Sequence, residues 1–193
     1  PVPKVKIRKD EINMVCDFLR QENPGLPLLA VLGDIKTGKT TVVATACKEC
    51  CTTRDQLSSN NGVDKRLLLA WIRLENNSTL SYVLPFVCYH MVSTPEQEYQ
   101  RMNILSSKYS DEKSRLDMFV KVKNLIDSNR GILVFDNMES IIDAQAKREI
   151  TEFIQYLSKN LIYGKVIIIG TNSQRIPIEL SSLFHEENSV ILR

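Results

Sequence analysis

The sequence lacks the features that place a protein in a membrane or outside the cell. No apolar run reaches the ~18 residues that a membrane-spanning helix needs. No charged segment followed by an apolar one resembles a secretory leader. The net charge of +2 is too small to indicate a membrane surface or nucleic acid as a partner. We therefore expect a cytoplasmic protein without a membrane partner.

Residues that commonly hold metal ions are also few. The two histidines, His90 and His185, are far apart in the chain. Of the five cysteines, Cys47, Cys50 and Cys51 lie together, but no second Cys-x-x-Cys and no histidine pair complements them. The cluster falls on a predicted helix that needs small apolar residues for packing. We interpret the cysteines as buried free thiols.

Short apolar runs alternate with amphipathic helical patterns along the 193 residues. The predicted strands are 28–32, 67–73, 132–135, 166–170 and 190–193. The predicted helices are 12–19, 39–51, 80–91, 116–126, 150–161 and 178–184. Two polar stretches, 52–65 and 93–110, are expected to be exposed loops. Strands that are apolar on both faces and alternate with helices predict one three-layer α/β/α domain with a mainly parallel sheet.

A phosphate-binding loop lies between the first predicted strand and the next helix. Residues 33–40 read G-x-x-x-x-G-K-T, the P-loop pattern, in the strand–turn–helix context that it requires. Glycines allow the backbone N–H groups to surround phosphate oxygens, Lys39 can reach the β and γ phosphates, and the Thr40 hydroxyl can hold Mg²⁺. The sequence predicts binding of ATP or ADP with Mg²⁺. The expected nucleotide-binding residues here are Gly33, Asp34, Ile35, Lys36, Thr37, Gly38, Lys39, Thr40 and Thr41.

A carboxylate follows the third predicted strand, at the edge where ligands bind in open α/β sheets. Asp136 is the expected Walker B residue, which would bind Mg²⁺ opposite Thr40; capping of a helix is the alternative. Asn137 stands where many ATPases carry a second acid, and an amide can orient water but cannot take its proton. Glu139 is the next candidate base, or it faces solvent. We expect slow hydrolysis, with Lys39 and these three residues as the catalytic candidates.

Two polar residues follow the fourth predicted strand. Asn172 is a further catalytic candidate, because it could hydrogen-bond the γ-phosphate or the attacking water, although turn formation explains it equally well. Arg175 could approach the same phosphate, or it could be an ordinary surface arginine.

The order of the P-loop, ILVFDN (132–137) and VIIIGTN (166–172) resembles the AAA+/STAND branch of P-loop ATPases from Val5 to Arg193. The resemblance implies a five-stranded sheet in the order 5-1-4-3-2. The opening VKIRKDEINMVCDFL resembles the segment before the P-loop in NB-ARC proteins, where Ile7 and Arg8 match an apolar and an arginine position that pack on adenine. The resemblance thus implies two parts of the domain: a segment and helix on the adenine side of the nucleotide over 1–26, and a core over 27–193. No Gly-Leu-Pro-Leu lid motif is visible, so lid and winged-helix domains are expected to be absent.

STAND proteins are signalling switches in which ADP holds a closed state and exchange for ATP permits oligomerisation. The resemblance therefore implies a weak ATPase that associates with itself or with protein partners through flanking domains. The Thr171-Asn172 pair is closer to AAA+ initiators of the origin-recognition type, which leaves a nuclear, DNA-binding ATPase as the alternative. The absence of arginine from 180–184 favours the switch. A small kinase or GTPase is disfavoured, because no substrate lid and no Asn-Lys-x-Asp motif occur.

Overall fold

A computed structural model of the chain describes residues 8–21, 26–58, 68–106, 111–171, 177, 180, 182–184 and 188–192. Within these residues the strands are β1 (Leu28–Gly33), β2 (Leu69–Arg73), β3 (Ile132–Asp136), β4 (Lys165–Thr171) and β5 (Ser189–Leu192). The helices are α1 (Lys9–Arg20), α2 (Lys39–Ser58), α3 (Leu80–His90), α4 (Pro95–Ser106), α5 (Glu112–Ser128) and α6 (Ala144–Asn160). A 3-10 helix, Met138–Ser140, follows β3.

The five strands form one sheet in the order β2-β3-β4-β1-β5, and every neighbouring pair is parallel. This is the expected order read from the opposite edge, so the predicted topology is confirmed. The register sets Gly33 beside Thr171 and Arg73 beside Asp136. The carboxyl ends of all these strands therefore meet at one edge of the sheet, next to the start of α2.

Helices cover both faces of the sheet, which confirms the three-layer α/β/α architecture. In β3, Leu133 and Phe135 belong to the cluster that includes residues of α3, α5 and α6. Ile132 and Val134 belong to the other cluster, with residues of α1 and α2. Alternate side chains of a strand point to opposite faces, so a central strand must be apolar throughout. We call the second side the α1–α2 face.

A buried lysine connects the end of α1 to the sheet by hydrogen bonds. Lys165 begins β4, is 5% exposed, and its Nζ donates hydrogen bonds to the carbonyl oxygens of Phe18 at 2.8 Å and Leu19 at 2.7 Å. The last carbonyls of a helix have no partner inside the helix, and a cation is favoured at that end. Lys165 thus compensates its own burial by capping the C-terminus of α1.

The cysteines that the structure describes with their side chains, Cys16, Cys47, Cys50 and Cys88, are buried thiols. Burial raises the pKa of Cys88 to about 12, and burial together with the neighbouring Cys50 and Glu49 raises the pKa of Cys16 to about 12. Thiols with such pKa values stay protonated at neutral pH and are poor nucleophiles. They serve as small packing residues, as the sequence indicated.

Two stretches predicted to be loops contain helix. The helix α2 continues through 52–58, since no glycine or proline occurs there before Gly62 to break it. The other stretch, 93–110, contains α4, which starts with Pro95 after Thr94 and carries Glu96 and Glu98 in its first turn. Both predictions were wrong for these residues, and 59–65 and 107–110 lie outside the described part of the chain.

The short helix predicted over 178–184 is described only at 180 and 182–184, and the other three positions lie outside the described residues. In the ranges that the structure does describe, no helix is both long enough and apolar enough to cross a membrane.

Candidate functional site

The P-loop connects β1 to α2, and its two glycines serve different purposes. A Cβ on Gly33 would lie 2.5 Å from the Leu192 carbonyl oxygen and 2.9 Å from Thr37 Oγ1, so only glycine allows β5 to approach this closely. A Cβ on Gly38 would meet nothing within 4 Å, but its φ of +86° is one that other residues rarely adopt. Lys36 also has a positive φ, 65°. The loop is therefore a tight turn that exposes backbone at its outer side.

Lys39 lies at the centre of this turn. Its Nζ donates hydrogen bonds to the carbonyl oxygens of Gly33 at 3.0 Å and Asp34 at 2.7 Å, and the residue is only 9% exposed. Thr37 also holds the turn, because its Oγ1 donates to the Asp34 carbonyl at 2.8 Å. The ammonium group is thus kept inside the loop, at the first turn of α2, where the partial positive charge of the helix adds to its own.

Asp136 and Thr40 meet across the carboxyl edge of the sheet. The Thr40 hydroxyl donates a hydrogen bond of 3.2 Å to Asp136 Oδ2, although the two residues are 96 positions apart. The sequence predicted this pair as the Mg²⁺-holding residues on opposite sides of a nucleotide. The structure brings them together. Asp136 is not an N-cap, since the described α6 begins after Asp143, whose side chain accepts from Ala146 N at 2.7 Å.

Asn137 adopts the left-handed conformation, with φ 70° and ψ 41°, which asparagine tolerates better than most residues. Its Nδ2 donates to the Leu74 carbonyl at 3.2 Å, and its backbone N donates to the Ile169 carbonyl at 3.1 Å. Asn137 therefore ties the segment after β3 to the chain after β2 and to β4. Its suggested part in orienting water stays a prediction.

Glu139 turns towards the same edge, because the 3-10 helix follows Asn137 directly. Its Oε1 accepts a hydrogen bond of 3.2 Å from the backbone N of Thr171, the last residue of β4. Glu139 Oε2 and Thr171 Oγ1 are buried and have no hydrogen-bond partner among the described residues. Buried polar atoms of this kind are costly unless a ligand or water completes them. The carboxylate lies in the site rather than in solvent.

A cavity of about 510 Å³ lies over these groups. Its lining includes three cations, Lys36, Lys39 and Arg73, and two carboxylates, Asp136 and Glu139. The other lining residues are Ile35, Thr40, Asn137, Ile169, Gly170 and Thr171. Sequence reasoning missed Arg73. Its position as the last residue of a predicted strand, at the edge where Asp136 was expected, was the available signal.

Two of the remaining predicted residues, Thr41 and Arg8, are described and do not line the cavity. Thr41 is exposed in the first turn of α2. Arg8 immediately precedes α1, is not among the described residues that line the cavity, and donates from Nη1 to Glu11 Oε1 at 2.9 Å. Ile7, Asn172 and Arg175 lie outside the described residues, so their predicted contacts with nucleotide stay predictions.

The residues present fit a nucleotide with Mg²⁺. The three cations and the start of α2 suit phosphate oxygens, and the buried atoms of Glu139 and Thr171 can accept or donate one more hydrogen bond each. No group of three or more His, Cys, Asp or Glu residues in the described ranges could hold a metal by itself. Mg²⁺ commonly takes one or two protein ligands and completes its shell with phosphates and water. Thr40 and Asp136 would hold it in that manner.

The sheet order, the P-loop and the carboxylate at the end of β3 together define the P-loop NTPase fold. No protein-family model matches the chain, and no curated protein matches it. Among solved structures, a Walker-type ATPase of Pyrococcus abyssi is similar, with TM-score 0.56 and 16% identity over 96% of this chain and 53% of that one. The ORC1 protein of Aeropyrum pernix, solved in complex with DNA, is also similar, with TM-score 0.57 and 14% identity over 97% of this chain and 45% of that one.

At these identities the likeness concerns the fold alone. The chain spans about half the length of both solved proteins.

Proposed function

We propose that this chain is the ATP- and ADP-binding core of a signal-transduction ATPase, a switch whose oligomerisation depends on the bound nucleotide. The observation that carries the proposal is the pairing of Thr40 with Asp136 at 3.2 Å, beside Lys39 in the P-loop. These three side chains supply a cation for the phosphates and two oxygen ligands for Mg²⁺. A nucleoside diphosphate or triphosphate with Mg²⁺ is therefore the class of ligand that suits the chemistry of these three side chains.

Slow hydrolysis is the second part of the proposal. The position after Asp136 carries an amide, and the Asn137 Nδ2 is engaged with the Leu74 carbonyl. An amide cannot accept the proton of the attacking water. Glu139 is the carboxylate besides Asp136 among the described residues that line the cavity, but one of its oxygens already accepts from Thr171 N. A site built in this way suits a protein that holds its nucleotide for a long time.

An initiator-type AAA+ ATPase that contributes to DNA binding is the alternative. The observation in its favour is the similarity to an ORC1 protein that was solved in complex with DNA. The small net charge of +2 gives it little support, because binding to the DNA backbone depends on clustered positive charge. In the switch, the biological response would come from self-association and the flanking domains. In the initiator, it would come from DNA binding.

The two functions are distinguished by the nucleotide that accompanies the purified protein. Mass analysis after denaturation should find ADP, and ATP turnover should fall well below the ~1 s⁻¹ lower end of typical enzymes. A site without nucleotide whose ATP hydrolysis increases when duplex DNA is added would instead support the initiator. Protein that binds neither ATP nor ADP would contradict both.

A further inference from the structure

Arg73 is the last residue of β2, and it lies directly beside Asp136 in the parallel register of β2 and β3. The two side chains also share a face of the sheet. Leu69 and Trp71 pack on the α1–α2 face, and alternation along the strand assigns Arg73 to the same face. The same alternation in β3 assigns Asp136 to that face, where its Oδ2 accepts from Thr40. Arg73, Asp136 and the start of α2 thus lie together on one face of the sheet, at its carboxyl edge.

Arg73 forms no ion pair within the part of the chain that the structure describes. The side chain is exposed, it lines the cavity, and no described carboxylate lies within ion-pair distance of it. Neighbouring strands are only ~4.8 Å apart, so a phosphate bound to a Mg²⁺ ion at Thr40 and Asp136 would be within reach of this long side chain. A guanidinium group binds phosphate oxygens with two parallel hydrogen bonds, which makes arginine a specific partner for a terminal phosphate.

We propose that Arg73 binds the γ-phosphate of ATP from within the same chain and so determines that the site distinguishes ATP from ADP. This inference rests on the proposed nucleotide binding. The P-loop backbone serves the phosphates that ATP and ADP share and Lys39 can reach the β and γ phosphates, whereas Arg73 approaches the γ-phosphate from the β2 side, beyond Asp136. Exchange of ADP for ATP would then connect β2 to the P-loop through the ligand.

The test compares the affinities of β,γ-imido-ATP and ADP, both with Mg²⁺, for the unaltered chain and for Arg73→Ala by calorimetry. Loss of a charge-assisted phosphate contact should weaken β,γ-imido-ATP binding by about tenfold to a hundredfold, with ADP binding changed by less than about twofold. Arg73→Lys should fall between, because it keeps the charge but not the planar pair of donors. Arg148→Ala, which removes an exposed arginine of α6, is the control and should change neither affinity.

Three results would overturn the inference. If the ratio of the two affinities is the same in Arg73→Ala as in the unaltered chain, Arg73 does not bind the γ-phosphate. If both affinities fall equally, and the fall disappears without Mg²⁺, Arg73 acts on Asp136 and the metal instead. If the unaltered chain binds neither nucleotide, the proposed function fails as well, which separates that failure from the first two.

Discussion

At the scale of single residues, the site depends on a few positions that tolerate little change. Gly33 is required by the approach of the Leu192 carbonyl, and Gly38 by its backbone angle. Asn137 combines a left-handed backbone with a side-chain bond to Leu74. An acid at that position would lose the donor that reaches the carbonyl oxygen. Asn137, which would limit proton transfer under the proposed function, thus also holds the edge of the sheet together.

Asp136→Ala tests the metal-binding role of the carboxylate. Because Mg²⁺ would connect Asp136 and Thr40 to the phosphates, ATP affinity measured with Mg²⁺ should fall by about tenfold or more. Affinity measured in EDTA should change much less. Asp17→Ala, which alters an exposed carboxylate of α1, is the control. Equal losses with and without Mg²⁺ would contradict the assigned role.

At the scale of elements, Asp127 joins the end of α5 to the turn before β4. Its carboxylate accepts hydrogen bonds from the backbone N of Ile162, Tyr163 and Gly164, and forms an ion pair with Lys123 at 2.9 Å. Partial burial opposes ionisation of this group, but the bonds from Gly164, Lys123 and the other backbone donors outweigh it and lower the pKa of Asp127. This carboxylate therefore helps to set where β4 begins.

Asp127→Asn should destabilise the chain by about 1–3 kcal/mol at pH 7, because an amide cannot accept all of these hydrogen bonds and brings donors of its own. A lowered pKa means that the carboxylate stabilises the fold above its ordinary value of 3.8 and that this contribution is lost as the pH falls through the native pKa. Urea unfolding at pH 7 and near pH 3 checks both statements.

The exposed Asp117 on the same helix provides the control for this substitution. Asp117→Asn should have little effect at either pH. A constant difference in unfolding free energy between Asp127→Asn and the unaltered chain at both pH values would contradict the assigned ionisation.

One helix, α4, lies in a stretch that the sequence predicted to be a loop, and the packing of its side chains explains why. In α4, Ile104 is almost completely buried, while Tyr99, Met102 and Leu105 are exposed. With its apolar residues divided in this way, the segment has no clear helical stripe, so its periodicity resembles that of a polar loop. The signals that do mark it are local ones, Pro95 at its first position and two glutamates in the first turn.

At the scale of the whole molecule, nucleotide binding should increase the thermal stability of the chain. A nucleotide present at a hundred times its Kd stabilises the native state by ~2.7 kcal/mol. For a domain of this size that corresponds to a rise in Tm of roughly 5 to 10 °C. Differential scanning fluorimetry with ADP or ATP and Mg²⁺ measures this rise in Tm.

Lys39→Ala should remove most of this rise in Tm, because it deletes the ammonium group inside the P-loop. Its own Tm should be somewhat lower, since the bonds to the Gly33 and Asp34 carbonyls are lost as well. Lys121→Ala, on the exposed side of α5, should keep the full rise. If Lys39→Ala kept it too, nucleotide would not bind at the P-loop.

The sequence by itself determined the elements whose signals are local: the buried strands, most helices, the P-loop and the carboxylate that ends β3. Short-range sterics and periodicity encode these directly. The strand order could be predicted only through a family resemblance. The tertiary structure decided which side chains meet. Whether Arg73 lies beside Asp136, or Glu139 beside Thr171, depends on strand register and on the face to which each side chain points, and both are set by packing between segments far apart in the chain.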